Sequence, residues 1–241
     1  MLEERRPFNK RTVFCKVARV RVVTVMEAPF QRARRPEQKD QRRGAILAAA
    51  AGLAAESGVA RVSLGDIATA VGLAKSNVLR YFGTREEIYL QLAMREGSGW
   101  AGAVTAALRP AGGVPATAAA LADAYADRPL WCDLTTHAET MLEQNVSVAA
   151  LQVYKEWAIG MYMGVGGRIA DACPPLTVTD GASLVMAASA FVAKLYPLSR
   201  PSAALRELYA REPRIAQAFP PFRPTLTRMI AATAAGLPTT H

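Results

Sequence analysis

Residues 62–88 read VSLGDIATAVGLAKSNVLRYFGTREEI and carry the strongest structural signal in the chain. Ser63 is a typical helix N-cap, with Asp66 three residues later, and Gly72 supplies a residue that tolerates a sharp turn. Apolar residues lie on both sides of that glycine at the spacing that joins two short helices; they are Ile67, Val71, Leu73 and Val78. The stretch therefore predicts a helix of about two turns, a glycine turn and a second helix over residues 73–82.

The second of these helices presents a polar side. Such a helix projects from its domain, and the major groove of DNA, about 12 Å wide, admits it. Its outward residues are Lys75, Ser76, Asn77, Arg80 and Tyr81. The alternative is an ordinary solvated helix surface, but the surrounding helix-turn-helix pattern favours DNA binding.

The flanking segments complete a small helical domain. From Gln41 onward an apolar stripe predicts a first helix that ends at Gly58; its members are Ile46, Leu47, Ala50, Leu53 and Ala54. After residue 82, Thr84 and Glu87 predict a capping box that starts a long helix from Arg85 to about residue 108. Glycines at 97, 99 and 102 weaken the middle of that helix.

This pattern resembles the DNA-binding signature of the TetR family, and with the preceding helix the resemblance covers roughly residues 42–92. The sequence departs from the family pattern at Leu79 and Arg80, where aromatic residues are usual, and at Arg85, where lysine is usual. The resemblance implies an all-α protein. A three-helix DNA-binding domain with a helix-turn-helix would precede a larger helical domain for ligand binding and dimerisation.

The resemblance also implies roles for individual residues. Lys75, Tyr81 and Arg85 would contact phosphates, aided by the helix dipole at residue 85, whereas Ser76, Asn77 and Arg80 would reach bases. The remaining predicted DNA contacts are Arg42, Arg43, Ser63 and Thr84. The expected DNA is a double-stranded palindromic operator bound by a homodimer.

Charge and composition divide the chain into three parts. Residues 1–43 contain 13 Lys and Arg against 5 Asp and Glu, so most of the net charge of +9 lies there. We predict a basic, disordered extension over 1–36, a DNA-binding domain over 37–92 and a helical ligand-binding and dimerisation domain over 93–241. The basic arm suits DNA, although a merely solubilising tail is equally compatible. Apolar and polar residues alternate over residues 17–25, which predicts an isolated strand. Met26 is an alternative translation start.

The larger domain is expected to contain helices at about 116–126, 129–143, 147–171, 179–196, 201–211 and 222–236. Two segments rich in small residues, 180–195 and 225–235, are predicted as dimer faces, with burial inside one subunit as the alternative. Aromatic residues and methionines predict a pocket for a small apolar or aromatic effector, with ordinary core as the alternative. These residues are Trp131, His137, Met141, Tyr154, Trp157, Met161 and Tyr162.

Other function classes find little support. The only histidines are His137 and His241, and Cys15, Cys132 and Cys173 match no metal or disulfide pattern. We therefore expect no catalytic residue, metal or cofactor and no membrane span. We expect the protein to be located in the reducing cytoplasm. The expected function is a sequence-specific transcriptional regulator, a repressor that a small molecule releases from its operator. The alternatives are a constitutive DNA-binding protein and a small-molecule enzyme that uses Cys132 and His137.

Overall fold

The structure is a computed structural model that describes residues 30–218 and 221–237, with side chains from residue 37 onward. The chain forms two compact units, Met1–Glu37 and Gln38–His241. The candidate sites lie in the second unit. The described residues form helices and turns without a strand, which confirms the all-α prediction. Residues 1–29, which include Cys15, the predicted strand at 17–25 and most of the predicted extension, lie outside the described residues.

The helices follow one another with short connections. Their bounds are α1 Phe30–Ser57, α2 Leu64–Ala70, α3 Lys75–Val78, α4 Arg85–Ala107, α5 Gly113–Ala126, α6 Pro129–His137, α7 Val148–Ala172, α8 Val178–Leu198, α9 Ala203–Arg211, α10 Pro213–Gln217 and α11 Phe222–Gly236. A 3₁₀ turn, Val59–Arg61, joins α1 to α2, and a π-helical turn, Ala138–Leu142, follows α6.

Local capping explains why the DNA-binding helices begin where they do. Ser63 N donates to Asp66 Oδ2 at 2.8 Å and Asp66 N donates to Ser63 Oγ at 3.2 Å, so the predicted N-cap Ser63 forms a capping box with Asp66. Gly72 has φ +65° between α2 and α3, a value that suits glycine. The inward sides of α1 to α3 share one core, which contains Ile46, Ala50, Ala54, Ile67, Val78 and Phe82.

Two helices of this domain differ from their predicted lengths. The helix α1 begins at Phe30, not at Gln41, so it includes part of the segment predicted to be disordered. The helix α3 spans only Lys75–Val78, and turns continue the chain from Leu79 to Tyr81. Hydrogen bonds from Tyr81 N and Phe82 N to Val78 O nevertheless keep this continuation helical in direction, at 2.9 and 3.2 Å.

The glycines of α4 do not interrupt it, because one of them accommodates aromatic packing. A Cβ atom at Gly97 would lie 2.8 Å from the Trp131 ring and closer still to the Trp157 ring. The missing side chain therefore lets two indoles approach the α4 backbone. Their burial against α4 compensates the low helix propensity of glycine, which costs about 1 kcal/mol.

The remaining helices form a bundle in which α8 is central and packs against α6, α7 and α11. By length and composition alone α8 could cross a membrane, but it buries Leu184, Val185, Ala188 and Val192 in the protein core. The predicted helix 129–143 is divided into α6 and the π-helical turn. After α9 the chain forms the additional short helix α10, and neither α9 nor α10 contains a buried residue.

The two predicted dimer faces each bury one side within the subunit. Thr225, Leu226, Ile230 and Ala234 of α11 are buried, and α11 packs against α5 and α8. On α8, Met186, Ala190 and Lys194 remain exposed. One side of each helix is therefore buried within the subunit, and dimerisation through the outer sides stays a prediction.

Candidate DNA-binding surface and effector cavity

The outward side of α3 carries the polar residues that the motif predicted. Lys75, Ser76, Asn77 and Arg80 are all exposed, whereas Val78 on the opposite side is fully buried. Burial of one side fixes the helix to the domain and leaves the other side free to enter a groove. This arrangement brings three hydrogen-bonding side chains suited to base edges and one lysine onto a single surface.

The other predicted DNA contacts surround α3 at different degrees of exposure. Arg42 is exposed on α1, and Tyr81 is half-buried beside Phe82. Ser63 and Thr84 are N-caps; Thr84 Oγ1 accepts from Glu87 N at 3.1 Å. The Glu87 carboxylate does not return to Thr84, so the capping box predicted for α4 is only half formed. Both capping hydroxyls are thus engaged in starting helices.

Arg43 is held inside the domain. One guanidinium nitrogen donates to the carbonyl oxygen of Tyr81, and another donates to Gln91 Oε1 at 2.7 Å. The guanidinium carbon also lies 4.3 Å from the centre of the Phe82 ring. Arg43 therefore joins α1 to the end of the recognition segment and to α4, and its predicted DNA contact stays a prediction.

Arg85 is engaged in the same way. Its Nε donates to Val62 O at 2.5 Å, a second nitrogen donates to Val59 O, and a third contacts Glu86 Oε1 at 2.8 Å. Only 14% of the side chain is exposed. These bonds occupy the planar donor fork that would bind a phosphate. Arg85 therefore joins the 3₁₀ turn to α4, and its predicted phosphate contact stays a prediction.

Glu87 connects the DNA-binding domain to α7. Its Oε2 accepts from Gly83 N at 2.9 Å, in the loop after the recognition segment, while Oε1 accepts from Ser147 N and Oγ at 3.1 and 2.7 Å. Burial raises the pKa of this carboxyl, but the hydrogen bonds from Ser147 and Gly83 outweigh burial and leave the pKa lowered. The charged form is therefore the form that bridges the two domains.

Asp133 of α6 forms a second connection. Its Oδ2 accepts from Val59 N at 2.6 Å, at the 3₁₀ turn between α1 and α2, and its Oδ1 lies 3.4 Å from His137 Nδ1. Burial opposes ionisation of Asp133, yet the bonds from His137 and Val59 lower its pKa overall. The hydrogen bond to Asp133 raises the pKa of His137. Carboxylates thus bind backbone amides just before and just after the helix-turn-helix.

A cavity of about 400 Å³ lies between α6, α7 and α8. Its wall contains Trp131, Thr135, Ala138, Glu139, Glu143, Tyr154, Lys155, Ala158, Ile159, Tyr162, Met186, Ser189, Ala190 and Ala193. The volume falls within the range of about 300–1,000 Å³ that is usual for small-molecule sites. The hydroxyl of Thr135 in this wall is buried and has no hydrogen-bond partner among the described residues.

The cavity includes three of the seven predicted effector contacts, Trp131, Tyr154 and Tyr162. Trp157 instead faces α4, where its Nε1 donates to Ser98 Oγ at 3.1 Å. His137 Nδ1 is bonded to Asp133 O at 2.9 Å, and Met141 and Met161 pack against the core. Tyr154 and Trp157 lie on the same side of α7, but Tyr154 lines the cavity whereas Trp157 contacts α4.

The charged residues of the cavity wall were not predicted from the sequence. Glu139, Glu143 and Lys155 line it, and Lys155 Nζ lies 2.7 Å from Glu143 Oε1. The spacing of apolar residues predicts which side of a helix is buried, but it does not predict which charged residues line a cavity. Charged residues on helices are usually solvated. Only the tertiary arrangement, in which the π-helical turn and α7 line the same cavity, places them there.

The geometry of Cys132 and His137 does not support a nucleophilic pair. Cys132 Sγ is buried and donates to Tyr125 O at 3.2 Å, whereas His137 bonds Asp133. Burial raises the pKa of the thiol to about 12, so the nucleophilic thiolate is scarce. Cys132 and Cys173 are both buried as free thiols. No group of three metal-ligating side chains occurs within the described ranges.

Together, the projecting α3, its exposed polar side and the cavity in the bundle define a helix-turn-helix regulator with a separate sensing domain. Residues 46–92 match the family model of bacterial regulatory proteins of the tetR family, and residues 94–241 match a tetracyclin repressor-like C-terminal domain. The chain belongs to the TetR family. It is a DNA-binding transcriptional regulator with a C-terminal ligand-binding domain, and regulators of this family are generally not enzymes.

Solved structures share the fold. The chain is similar to a TetR transcriptional regulator from Rhodococcus sp. RHA1, with a TM-score of 0.55 and 16% identity over 83% of this chain and 98% of that one. It is also similar to a second transcriptional regulator from Rhodococcus, with a TM-score of 0.51 and 16% identity over 80% and 94% of the two chains. Among curated proteins, no match was found.

Proposed function

We propose that this protein is a cytoplasmic repressor that binds a palindromic operator as a homodimer and leaves it when a small molecule enters the cavity. The observation that carries the proposal is the polar surface of α3 and the turn after it, where Lys75, Ser76, Asn77 and Arg80 are all exposed. Asn77 and Arg80 suit bidentate contacts to adenine and guanine, worth about 1–3 kcal/mol each in discrimination. Lys75, Tyr81 and Arg42 serve as phosphate contacts.

The two carboxylate connections supply a route from the cavity to the DNA. Asp133 belongs to α6 and Ser147 caps α7, and both helices contribute to the cavity wall. A ligand that moves either helix changes the hydrogen bond to Val59 N or to Glu87. Because these bonds position the segments on either side of the helix-turn-helix, ligand binding changes the separation of the two recognition helices in a dimer.

The test is a gel-shift titration of the purified protein against DNA from around its own gene, and against random fragments, at two salt concentrations. We expect a discrete complex that survives competitor DNA and is lost in the variant Lys75→Ala/Arg80→Ala. Salt separates the phosphate contribution, which weakens steeply with ionic strength, from base recognition.

A matched control removes the same charge elsewhere. Arg206 of α9 and Arg214 of α10 are exposed and distant in sequence from α3, so Arg206→Ala/Arg214→Ala should retain the complex. Equal loss of binding in both double variants would show that binding depends only on non-specific charge attraction. It would overturn the proposal that Lys75 and Arg80 belong to the DNA-binding surface.

A constitutive DNA-binding protein without an effector is the second candidate function, because the DNA-binding surface does not itself require a cavity. The two functions differ in whether occupancy of the cavity changes operator affinity. We therefore expect cavity ligands both to raise the thermal unfolding midpoint and to dissociate the complex. Stabilisation without dissociation would favour the constitutive function.

A further inference from the structure

One large apolar side chain of the helix-turn-helix is exposed. Leu79 is the C-cap residue of α3, and 42% of it is accessible to solvent. The other large apolar residues of 62–88, a stretch in which every side chain is described, are buried or half-buried. Single exposed leucines are common on protein surfaces, so the exposure of Leu79 gains its meaning from the residues around it.

Leu79 lies beside the exposed polar residues of α3. Its backbone N donates to Lys75 O at 3.1 Å, and its dihedral angles are helical, with φ −62° and ψ −17°. Residues three and four apart on a helix are neighbours, so Leu79 follows Ser76 and Lys75 on one face. Both of these residues are exposed, whereas Val78 is fully buried. Leu79 is therefore an apolar member of a surface that is otherwise polar.

A leucine on such a surface has a restricted choice of partner in DNA. In the major groove the C5-methyl group of thymine is the apolar group, and the remainder of each base-pair edge consists mainly of hydrogen-bond donors and acceptors. Leucine has no hydrogen-bonding group in its side chain. Contact with a donor or acceptor would remove water without replacing the lost hydrogen bond. The side chain of Leu79 therefore favours a methyl group and disfavours a polar edge.

We propose that Leu79 determines base specificity, because its side chain contacts the C5-methyl group of one thymine in each half-site of the operator. The inference rests on the proposed function, since it requires that the surface of α3 enters the major groove of a palindromic operator. It adds a residue and a base to that function. The neighbours of Leu79 favour DNA over an apolar protein partner, which would have to bury Lys75 and Ser76 as well.

Replacement of thymine by uracil tests this contact, since uracil lacks the C5-methyl group and keeps every hydrogen-bonding group. Each thymine of the selected operator is replaced by deoxyuridine at the symmetric positions of both half-sites, and affinity is measured by gel shift. At one position the affinity of the wild type should fall about two- to fivefold for each half-site, as expected for one methyl group removed from an apolar contact. If no thymine position has such an effect, the inference is wrong.

Variants assign the effect to this side chain. Leu79→Ala should bind the thymine and uracil operators equally well at the sensitive position, because the alanine side chain is too short for the contact. Leu79→Met keeps an apolar side chain of similar length and should retain a preference for thymine. A uracil effect that persists undiminished in Leu79→Ala would show that another residue contacts the methyl group.

Leu208→Ala is the matched control. Leu208 of α9 is 40% exposed and distant in sequence from the helix-turn-helix, so its replacement should leave the wild-type preference for thymine unchanged. Thermal unfolding of the three variants verifies that they fold. Loss of the preference in both alanine variants would contradict a specific role of Leu79.

Ionic strength distinguishes a base contact from a backbone contact. Uracil substitution removes no phosphate contact, so the dependence of affinity on salt should match that of the unmodified operator. Lys75→Ala should reduce the slope of that dependence by about one. If Leu79→Ala weakens binding to the operator and to unrelated fragments equally, Leu79 contacts the sugar–phosphate backbone and the inference is overturned.

Failure of this inference is distinguishable from failure of the proposed function. A competitor-resistant complex without a sensitive thymine retains operator binding and overturns only the role of Leu79. The absence of a specific complex on every fragment overturns both.

Discussion

Arg85 holds separate stretches of the DNA-binding domain together through backbone carbonyls. Its donor fork reaches Val59 O and Val62 O, and the side chain is mostly buried. Lysine keeps the charge but cannot reproduce a planar fork. Arg85→Lys should therefore lower the free energy of unfolding by about 1–3 kcal/mol, measured by urea denaturation.

The same substitution at Arg80 is the control for this prediction. Arg80 is exposed on the recognition segment, so Arg80→Lys should change stability by no more than about 0.5 kcal/mol while it alters operator selectivity. If Arg85→Lys leaves the urea midpoint unchanged but weakens DNA binding, Arg85 is a DNA contact and its bonds to the carbonyls contribute little.

His137 makes a pH-dependent contribution to stability. Its hydrogen bond to Asp133 raises its pKa above the ordinary 6.5, although burial and the charge of Arg85 oppose this. A raised pKa in the folded state means that the contribution is complete below about pH 6.5 and is lost as pH rises through the raised value. His137→Gln should thus cost more stability at about pH 6 than at about pH 9.

Urea unfolding of the wild type and the His137→Gln variant at both pH values checks this prediction. A cost that is equal at the two pH values would show that the protonated form of His137 makes no specific bond. Asp133→Asn at the same pH values provides the companion measurement, since it removes the carboxylate that raises the pKa of His137.

At the scale of elements, α7 and α8 approach each other through paired glycines. A Cβ at Gly166 would lie 2.6 Å from Ala182 N and 2.7 Å from Val178 O, and a Cβ at Gly181 would meet the carbonyl group of Gly166. Backbone atoms cannot yield as a flexible side chain can. Gly166→Ala should therefore destabilise the protein by about 1–3 kcal/mol, measured by urea unfolding.

Gly164 is the matched position, since it lies in the same helix with no atom within 4 Å of a Cβ placed there. Gly164→Ala should stabilise by about 0.5–1 kcal/mol, because alanine is the better helix former. If the two alanine variants change stability in the same direction, the close approach of α7 and α8 is not as described.

At the scale of the whole molecule, the proposed dimer predicts a fixed geometry on DNA. Two recognition helices related by a two-fold axis bind half-sites on one face of the duplex. Insertion of five base pairs between the half-sites of a selected operator rotates them by about half a turn. Binding measured by gel shift should weaken at least about tenfold, because both subunits no longer engage together.

Replacement of central base pairs without a change in length is the control for that insertion. It should have a smaller effect, since it preserves the relative position of the half-sites. Undiminished affinity after the insertion would contradict a rigid dimer and favour independent binding by single subunits.

Much of this architecture can be predicted from the sequence because it depends on local interactions. The Ser63–Asp66 capping box, the turn at Gly72 and the buried Val78 opposite exposed Ser76 follow from residues close together in the chain. Capping, backbone preference and 3.6-residue periodicity act over a few residues. The all-α class, the helix-turn-helix and the outward polar surface were therefore predictable.

Tertiary structure decided which partners the longer side chains have. Arg43 and Arg85 carry the same charge as Arg42 and Arg80, yet distant carbonyls engage the first two and leave the others exposed. Residues far apart in the chain also line one cavity, among them Glu139, Tyr154 and Met186. Periodicity identifies the inward side of a helix, whereas the groups that this side or its edges contact depend on how the helices pack.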